Sequence, residues 1–298
     1  MGGIAIIIVT YNSERSIASL IASIPSGSPG QGALVVVVDN GSSDGTVAQV
    51  ARFPWVHLIL SDNRGYAAGI NLGVAASPEA AAHLILNPDL VVLPDAIAHL
   101  VAQLDDPRVG IVAPRVLSPD GGVERSLRRD PTLARALGLN FTGLPMFSEY
   151  VAEDSAYSQA HDVDWALGAA LLVGRACREQ VGDWDESFFL YSEETDYCAR
   201  ARASGWVVRY TPAATVVHAG GGSGRTDSTH VMQIINKVRF YARSHRGPSA
   251  WTYWALTVLS ELTWILRGHS QSRASVRALL VPSVRPRQLG CSARLVPR

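Results

Sequence analysis

The sequence predicts an α/β fold: a three-layer α/β/α body with a mostly parallel central sheet, followed by a C-terminal helical extension. Three observations carry that prediction. Strand-like and helix-like segments alternate through the first hundred residues, the pattern of a sheet covered on both faces. Polar residues collect where the strands end, the side on which open α/β sheets bind ligands. The composition, 47% hydrophobic and 17% charged over 298 residues, supports a sizeable core and excludes global disorder.

Residues 4–9 are an unbroken apolar run. No basic region or cleavage signal accompanies it, so it is read as a buried strand and not a signal peptide. It runs into Thr10, Tyr11 and Asn12. A helix follows, with Ile17, Leu20, Ile21 and Ile24 on one face. A Gly/Pro/Ser loop is expected at 25–32. The β-branched run 34–38 then ends at Asp39, and Asn40-Gly41-Ser42-Ser43-Asp44-Gly45-Thr46 turns the chain and caps a second helix. Residues 57–60 form a third strand. Asn63-Arg64-Gly65-Tyr66 opens an Ala/Gly-rich helix to about residue 76, and a fourth strand at 83–86 stops at Asn87-Pro88-Asp89.

Beyond residue 109 the connections turn Gly/Pro-rich, and 118–160 is irregular, with Arg125, Arg128 and Arg129 close together. Residues 163–173 are apolar around Trp165, Gly168 and Ala169. An aromatic run then leads to Ser192-Glu193-Glu194-Thr195-Asp196 and a helix that stops at Gly205. Ser192 has the chemistry of an N-cap. In the first turn the helix dipole favours the ionised form of Glu193, Glu194 and Asp196. Strands at 207–211 and 216–218 end at His218, followed by a loop at 220–224 with the composition of a lid or linker. Helices are expected at 229–243 and 250–266. In the second, Trp251, Trp254, Ala255, Val258, Leu262, Ile265 and Leu266 form one stripe, with Thr252, Ser260, Glu261 and Thr263 opposite. That stripe suits either a membrane interface or packing on the body. The last thirty residues lack periodicity and read as a loose tail. No apolar run reaches the length of a membrane span.

The net charge of zero hides two opposed blocks. From Ser228 onward there are 11 Lys/Arg and one acid, Glu261; residues 1–227 hold 15 basic and 25 acidic residues. An acidic body with a basic tail points to an anionic partner. Cys177, Cys198 and Cys291 are odd in number and lack metal-ligand spacing, which fits a reducing compartment and argues against a zinc site.

Five motifs occur in order: Val9-Thr10-Tyr11-Asn12, then 39–46, then 63–71, then Asn87-Pro88-Asp89, then 189–196. Together they resemble the family 2 inverting glycosyltransferases of the GT-A fold, and within them bacterial rhamnosyltransferases acting on polyprenyl-diphosphate-linked sugars. The resemblance covers roughly residues 4–225. It implies a GT-A body at 1–227, with a nucleotide-sugar half at 1–115 and an acceptor and catalytic half at 116–227. Residues 228–298 are the basic extension.

The resemblance also implies roles. Asp39 accepts the ring N–H of the base, though turn capping through Asn40-Gly41 is its ordinary use. Thr10, Tyr11 and Asn12 line base and ribose. Asn63, Arg64 and Gly65 approach the diphosphate, with Asn71 on the helix behind them. Asn87-Pro88-Asp89 stands where the family often has Asp-x-Asp, so Asp89 carries a divalent metal, Mg2+ or Mn2+, while Asn87 is a weaker neutral ligand. His218 completes the metal or diphosphate site, and Trp165, Gly168 and Ala169 form the acceptor wall. Glu194 is the base, in place of the commoner Asp, with Glu193 and Asp196 left open beside it. Asp196 is otherwise assigned to acceptor binding or to orienting the helix.

The expected partners are a nucleotide-diphosphate sugar, best matched to dTDP-rhamnose, and a glycan or polyprenyl-diphosphate-glycan acceptor. The basic segment would meet anionic headgroups at roughly 1 kcal/mol per Lys or Arg. This places the enzyme in the cytoplasm, peripheral on the inner face of the plasma membrane. A UDP- or GDP-sugar donor keeps the same fold. A nucleotidyltransferase would carry a Gly-rich basic loop where Thr10-Tyr11-Asn12-Ser13 stands. A non-catalytic glycan- or membrane-binding protein is disfavoured by Asp89, Glu194 and His218. Nothing accompanies the basic tail that marks nucleic-acid binding.

Overall fold

The computed structural model describes residues 3–27, 32–218, 226–290 and 295–296. The glycine loop expected as a lid at 220–224 lies outside them.

In order, the chain forms β1 (Ile4–Thr10), α1 (Ile17–Gly27), β2 (Leu34–Asp39), α2 (Thr46–Val50), β3 (His57–Leu60), α3 (Tyr66–Ala75), β4 (Ala82–Leu86), β5 (Leu90–Val92), α4 (Ala96–Ala102) and β6 (Val109–Leu117). The second half continues with β7 (Leu127–Arg128), α5 (Leu133–Ala136), β8 (His161–Val163), β9 (Trp165–Ala166), β10 (Ala170–Gly174), α6 (Arg175–Val181), α7 (Glu193–Ala203) and β11 (Val207–His218). The extension holds α8 (Asp227–Ser244), α9 (Pro248–Leu266) and α10 (Gln271–Leu280).

Among the described residues a nine-stranded sheet runs β3-β2-β1-β4-β10-β6-β11-β5, with β8 added on β11. β3, β2, β1 and β4 are mutually parallel. β10 enters antiparallel between β4 and β6, and β11 is again parallel to β6. The segments expected as two strands at 207–211 and 216–218 are one long strand whose register shifts against β6.

All seven residues of β1 are buried because both faces are covered. Ile4, Ile6 and Ile8 join Ile17, Leu20 and Ile21 of α1, while Ala5 and Ile7 join Val36 and Val38 on the other face. That alternation is the period-two geometry of a strand. α3 can lie directly on β1 because Gly73 faces it: a Cβ there would stand 2.4 Å from Ile7 Cγ2.

The C-terminal residues depart from expectation. The supposed loose tail contains α10, whose Ser272, Ser275, Ala278 and Leu279 are buried, and Leu289, Leu295 and Val296 are buried with it. They join Val231, Ile235, Val238, Tyr241 and Tyr253 in a separate core, against which Phe189, Leu190 and Tyr191 also pack. Tyr241 and Tyr253 stack at 3.9 Å. The irregular composition of the tail hid small residues on one helix face. The two readings of α9 also resolve unexpectedly. Its packed face is Ala250, Tyr253, Thr257 and Glu261. Trp251, Leu259, Leu262 and Leu266 stay exposed. No described helix is long and apolar enough to cross a membrane.

Candidate active site

The ends of β1, β2 and β4 carry the first, second and fourth motifs and the end of β11 carries His218, while the third motif, after β3, meets the fifth through the Tyr66 amide and Phe189 O. Thr10 and Asp39 are ladder partners, and Thr10 Oγ1 donates to Asp39 Oδ1 at 2.9 Å. Ser42 adds its amide at 2.9 Å and its hydroxyl at 2.5 Å, so the buried Asp39 carboxylate caps its own turn. Three of roughly four acceptor positions are thereby used. Asn12, at φ 52°, accepts from the Ser43 amide at 2.8 Å. Tyr11 is half exposed.

In the third motif, Asn63 Oδ1 accepts the Gly65 amide at 3.2 Å, and the exposed Arg64 pairs with Glu186 at 2.6 Å. Asn71 faces away from the strand ends. Its amide donates to Trp184 O at 2.9 Å and Glu186 at 3.1 Å, and its oxygen accepts from Trp184 N at 3.0 Å. It pins the segment that leads to α7. Asn40 Nδ2 donates to Gly65 O at 3.0 Å and locks the second motif to the third.

Asn87 Oδ1 accepts from Tyr66 Oη at 2.8 Å, and the Asn87 backbone N–H donates to Ala169 O at 2.8 Å. Beyond Pro88, Asp89 Oδ2 lies 3.3 Å from His218 Nε2, while His218 Nδ1 lies 3.1 Å from Glu124 Oε2. The hydrogen bond that His218 donates to Asp89, helped by Glu124, pushes the imidazole up to about 9 against the cost of burial. Among the described residues no three His, Cys, Asp or Glu side chains form a ready metal cluster, since the two carboxylates address opposite ring nitrogens. Asp89 and, with its proton released, His218 would offer one oxygen and one nitrogen to a divalent metal from side chains 3.3 Å apart.

The acidic motif starts α7. Tyr191 and Ser192 both adopt left-handed backbone, φ 70° and 73°. Such strain persists only where the surroundings impose it. Asn236 of α8, fully buried, donates to Leu190 O at 2.9 Å and Tyr191 O at 3.0 Å. The Ser192 side chain makes no cap hydrogen bond, because the left-handed turn aims it away from the helix amides. Burial works against the dipole that is expected to favour the ionised glutamates. Desolvation pushes Glu193 well above the usual carboxylate range, and the charge of Glu194 adds to it. Burial raises Glu194 as well, opposed by backbone N–H groups and by Arg128. Each glutamate keeps one buried oxygen, Oε2, without a protein partner. Asp196 is committed elsewhere: Arg200 binds it at 2.8 Å and Arg243 at 3.3 Å, tying α7 to α8.

Gly168 lies beneath Glu194, where an added Cβ would stand 3.3 Å from Glu194 Cβ. Trp165 is buried, with its indole N–H donated to Arg129 O at 3.1 Å. The side of the cleft next to Glu194 is therefore glycine backbone rather than an exposed indole. Arg128 is the ladder partner of Trp165, and its guanidinium lies 3.9 Å from the Tyr150 ring and 6.0 Å from the Trp165 ring.

A protein-family model described as "Glycosyl transferase family 2" matches residues 5–156. The chain belongs to glycosyltransferase family 2. The N-acetylglucosaminyl-diphospho-decaprenol L-rhamnosyltransferase of Mycobacterium tuberculosis is 33% identical to this glycosyltransferase over 302 residues, covering 91% of this chain and 94% of the relative. The dTDP-rhamnosyl transferase RfbF of Shigella flexneri is 26% identical, over 80% of this chain and 76% of its own. Among solved structures, a mannosyltransferase, PcManGT from Pyrobaculum calidifontis, in complex with GDP-Man and Mn2+, aligns at TM-score 0.58 and 16% identity over 98% of this chain and 84% of that one. The fold is GT-A.

Four residues of the glycosyltransferase cleft escaped the sequence: Tyr66, Glu124, Arg128 and Asn236. Tyr66 stood inside the third motif without a role, and burial, with Glu193, Glu194 and Asp89, pushes its phenol well above the usual range. Asn236 interrupts the buried face of Met232, Ile235 and Val238 on α8. A lone amide on an apolar stripe is a signal that could have found it. Glu124 gave no local sign.

Proposed function

We propose that this glycosyltransferase moves L-rhamnose from dTDP-rhamnose to a hydroxyl of a polyprenyl-diphosphate-linked sugar, with inversion. One observation carries the choice of sugar and acceptor: the likeness to the mycobacterial rhamnosyltransferase extends over nine-tenths of both chains. The name of the Shigella relative supports the dTDP donor.

The acceptor hydroxyl attacks the anomeric carbon from the face opposite the diphosphate. The new C–O bond forms as the bond to the diphosphate oxygen breaks, and the electron pair leaves with the nucleotide. Glu194 takes the hydroxyl proton. Its unpartnered oxygen and its seat over Gly168 support this assignment. Glu193, whose carboxyl burial pushes well above the usual range, would donate a hydrogen bond where Glu194 accepts one. Residues 1–115 hold the nucleotide sugar, with Asp39, Tyr11 and Asn12 around the base and Asn63, Arg64 and Gly65 toward the diphosphate. Residues 116–227 present the acceptor wall at Gly168 and Ala169. Asp89, with His218 once its proton is released, would hold Mg2+ or Mn2+, which supplies charge neutralisation for the leaving diphosphate. An acceptor carried on a lipid supports a reaction at the inner face of the plasma membrane, with the enzyme peripheral to it.

A nucleotide-sugar panel with Mg2+ or Mn2+, read by thermal shift and donor hydrolysis, tests this. Selective stabilisation and turnover of dTDP-rhamnose is expected. Preference for a UDP- or GDP-sugar overturns the sugar, and no response to any donor by the folded protein overturns the transferase mechanism.

A further inference from the structure

α9 has one face packed and one face bare. Ala250, Tyr253, Thr257 and Glu261 point into the core of the extension, and Trp251, Ala255, Leu259, Leu262 and Leu266 recur on the outside at helical spacing. Trp251 is 51% exposed and Leu266 88%. The bare stripe continues onto a second segment. Gly138 abuts Ser260, and the Arg267 guanidinium lies 4.6 Å from the Phe141 ring. Next to that contact, Phe141 is 64% exposed and Met146 58%, with Leu144 exposed between them. A large exposed apolar patch on a folded protein marks an interaction surface.

The charge of the surroundings selects the partner. Residues 137–148 carry no charged side chain, and 248–290 carry five arginines, 267, 273, 277, 285 and 287, against one acid, Glu261. That acid is buried and bound to His230 at 3.1 Å. It therefore adds nothing to the outer face, whereas Arg267, Arg273, Arg277 and Arg287 are exposed. An apolar stripe with a tryptophan at one end, on a segment whose exposed charged side chains are arginines, matches a bilayer interface with negative headgroups.

We propose that the bare face of α9 and the 141–146 loop together form a docking surface that seats the enzyme on an anionic lipid bilayer. Its purpose rests on the lipid-linked acceptor assigned above. Its evidence does not.

The test uses the full chain and vesicles of phosphatidylcholine, alone or mixed with phosphatidylglycerol, read by flotation. The wild type is expected to float with the anionic vesicles and to release in high salt. The double variant Leu262→Glu/Leu266→Glu, and separately Phe141→Ser/Met146→Ser, should each lose roughly tenfold in bound fraction. Both alter exposed residues, so thermal melting and donor hydrolysis without vesicles should match wild type. Arg273→Ala/Arg277→Ala/Arg287→Ala, which leaves the Arg267–Phe141 contact and the apolar face intact, should lose the salt-sensitive part of binding. Failure of the wild type to float, or unchanged flotation of the apolar variants, overturns the proposal. So does a dimer by light scattering that the apolar variants split, since the face would then pair two copies of the chain. Intact flotation with no donor hydrolysis by the wild type upholds the surface and overturns the reaction instead.

Discussion

The α-carbon of Gly65 rests on the backbone of Phe189: a Cβ at Gly65 would stand 2.5 Å from Phe189 O and 2.9 Å from Phe189 Cα. The Tyr66 amide donates to the same carbonyl at 2.8 Å. The loop that opens α3 and the turn that opens α7 are thus one joint, and it sets where the two glutamates stand relative to residues 63–65.

Gly65→Ala should break that joint. The residue sits at φ 103°, which only glycine adopts without strain, and the atom in the way is backbone, which cannot rotate aside. A loss of about 2–4 kcal/mol in stability is expected, with turnover falling further than donor binding. Chemical denaturation and donor titration check it, and a variant as stable and active as wild type would remove the joint from the account.

Glu194→Gln should abolish transfer, by roughly 100-fold or more, while nucleotide binding survives. Glu193→Gln should be milder, because burial pushes the Glu193 carboxyl upward and so favours its neutral form, whose hydrogen-bond donor an amide retains. Steady-state kinetics beside nucleotide titration separate the two. The reverse ranking would move the base to Glu193.

Arg128→Met removes the cation that opposes the rise of the Glu194 carboxyl. The acid limb of the kcat/KM profile should shift to higher pH, leaving activity several-fold lower near neutrality. It also deprives Arg125 O and Leu127 O of their donor, at about 1–3 kcal/mol. Arg128→Lys should restore the position of the limb but only part of the stability. An unmoved limb in the Met variant would reduce Arg128 to a packing residue.

His83 sets a pH dependence of stability far from the cleft. It is buried on β4, with Nε2 3.1 Å from Ser77 Oγ and from Ser77 O, and Nδ1 has no partner. Burial, with the nearby charges of Arg178 and Arg175, lowers it from 6.5 to about 4. Its folded value lies below its unfolded one, so the unfolded chain binds the extra proton between those limits. The contribution is present above about pH 6.5 and lost as pH falls toward 4, on the order of 2 kcal/mol allowing for residual screening. Denaturant midpoints from pH 7 down to 4.5 should fall more steeply for wild type than for His83→Leu, and equal slopes would refute the role.

The sequence by itself determined the GT-A body, the order of the motifs and their place at strand ends. Those features are written in local patterns: the isoleucine run of β1, the i, i+3, i+4 spacing of α1, and polar residues directly after each strand. The tertiary structure decided what long-range contact and burial control. Glu124 meets His218 across 94 residues and Asn236 meets Leu190 across 46, separations at which no spacing rule applies. Helix position alone predicted ionised glutamates, but desolvation in the cleft outweighs the dipole, whose effect on a surface charge is only about 0.3–1 kcal/mol. On α9, composition could not say which face turns inward. Glu261 went in because His230 was there to receive it, and the apolar stripe was left outside.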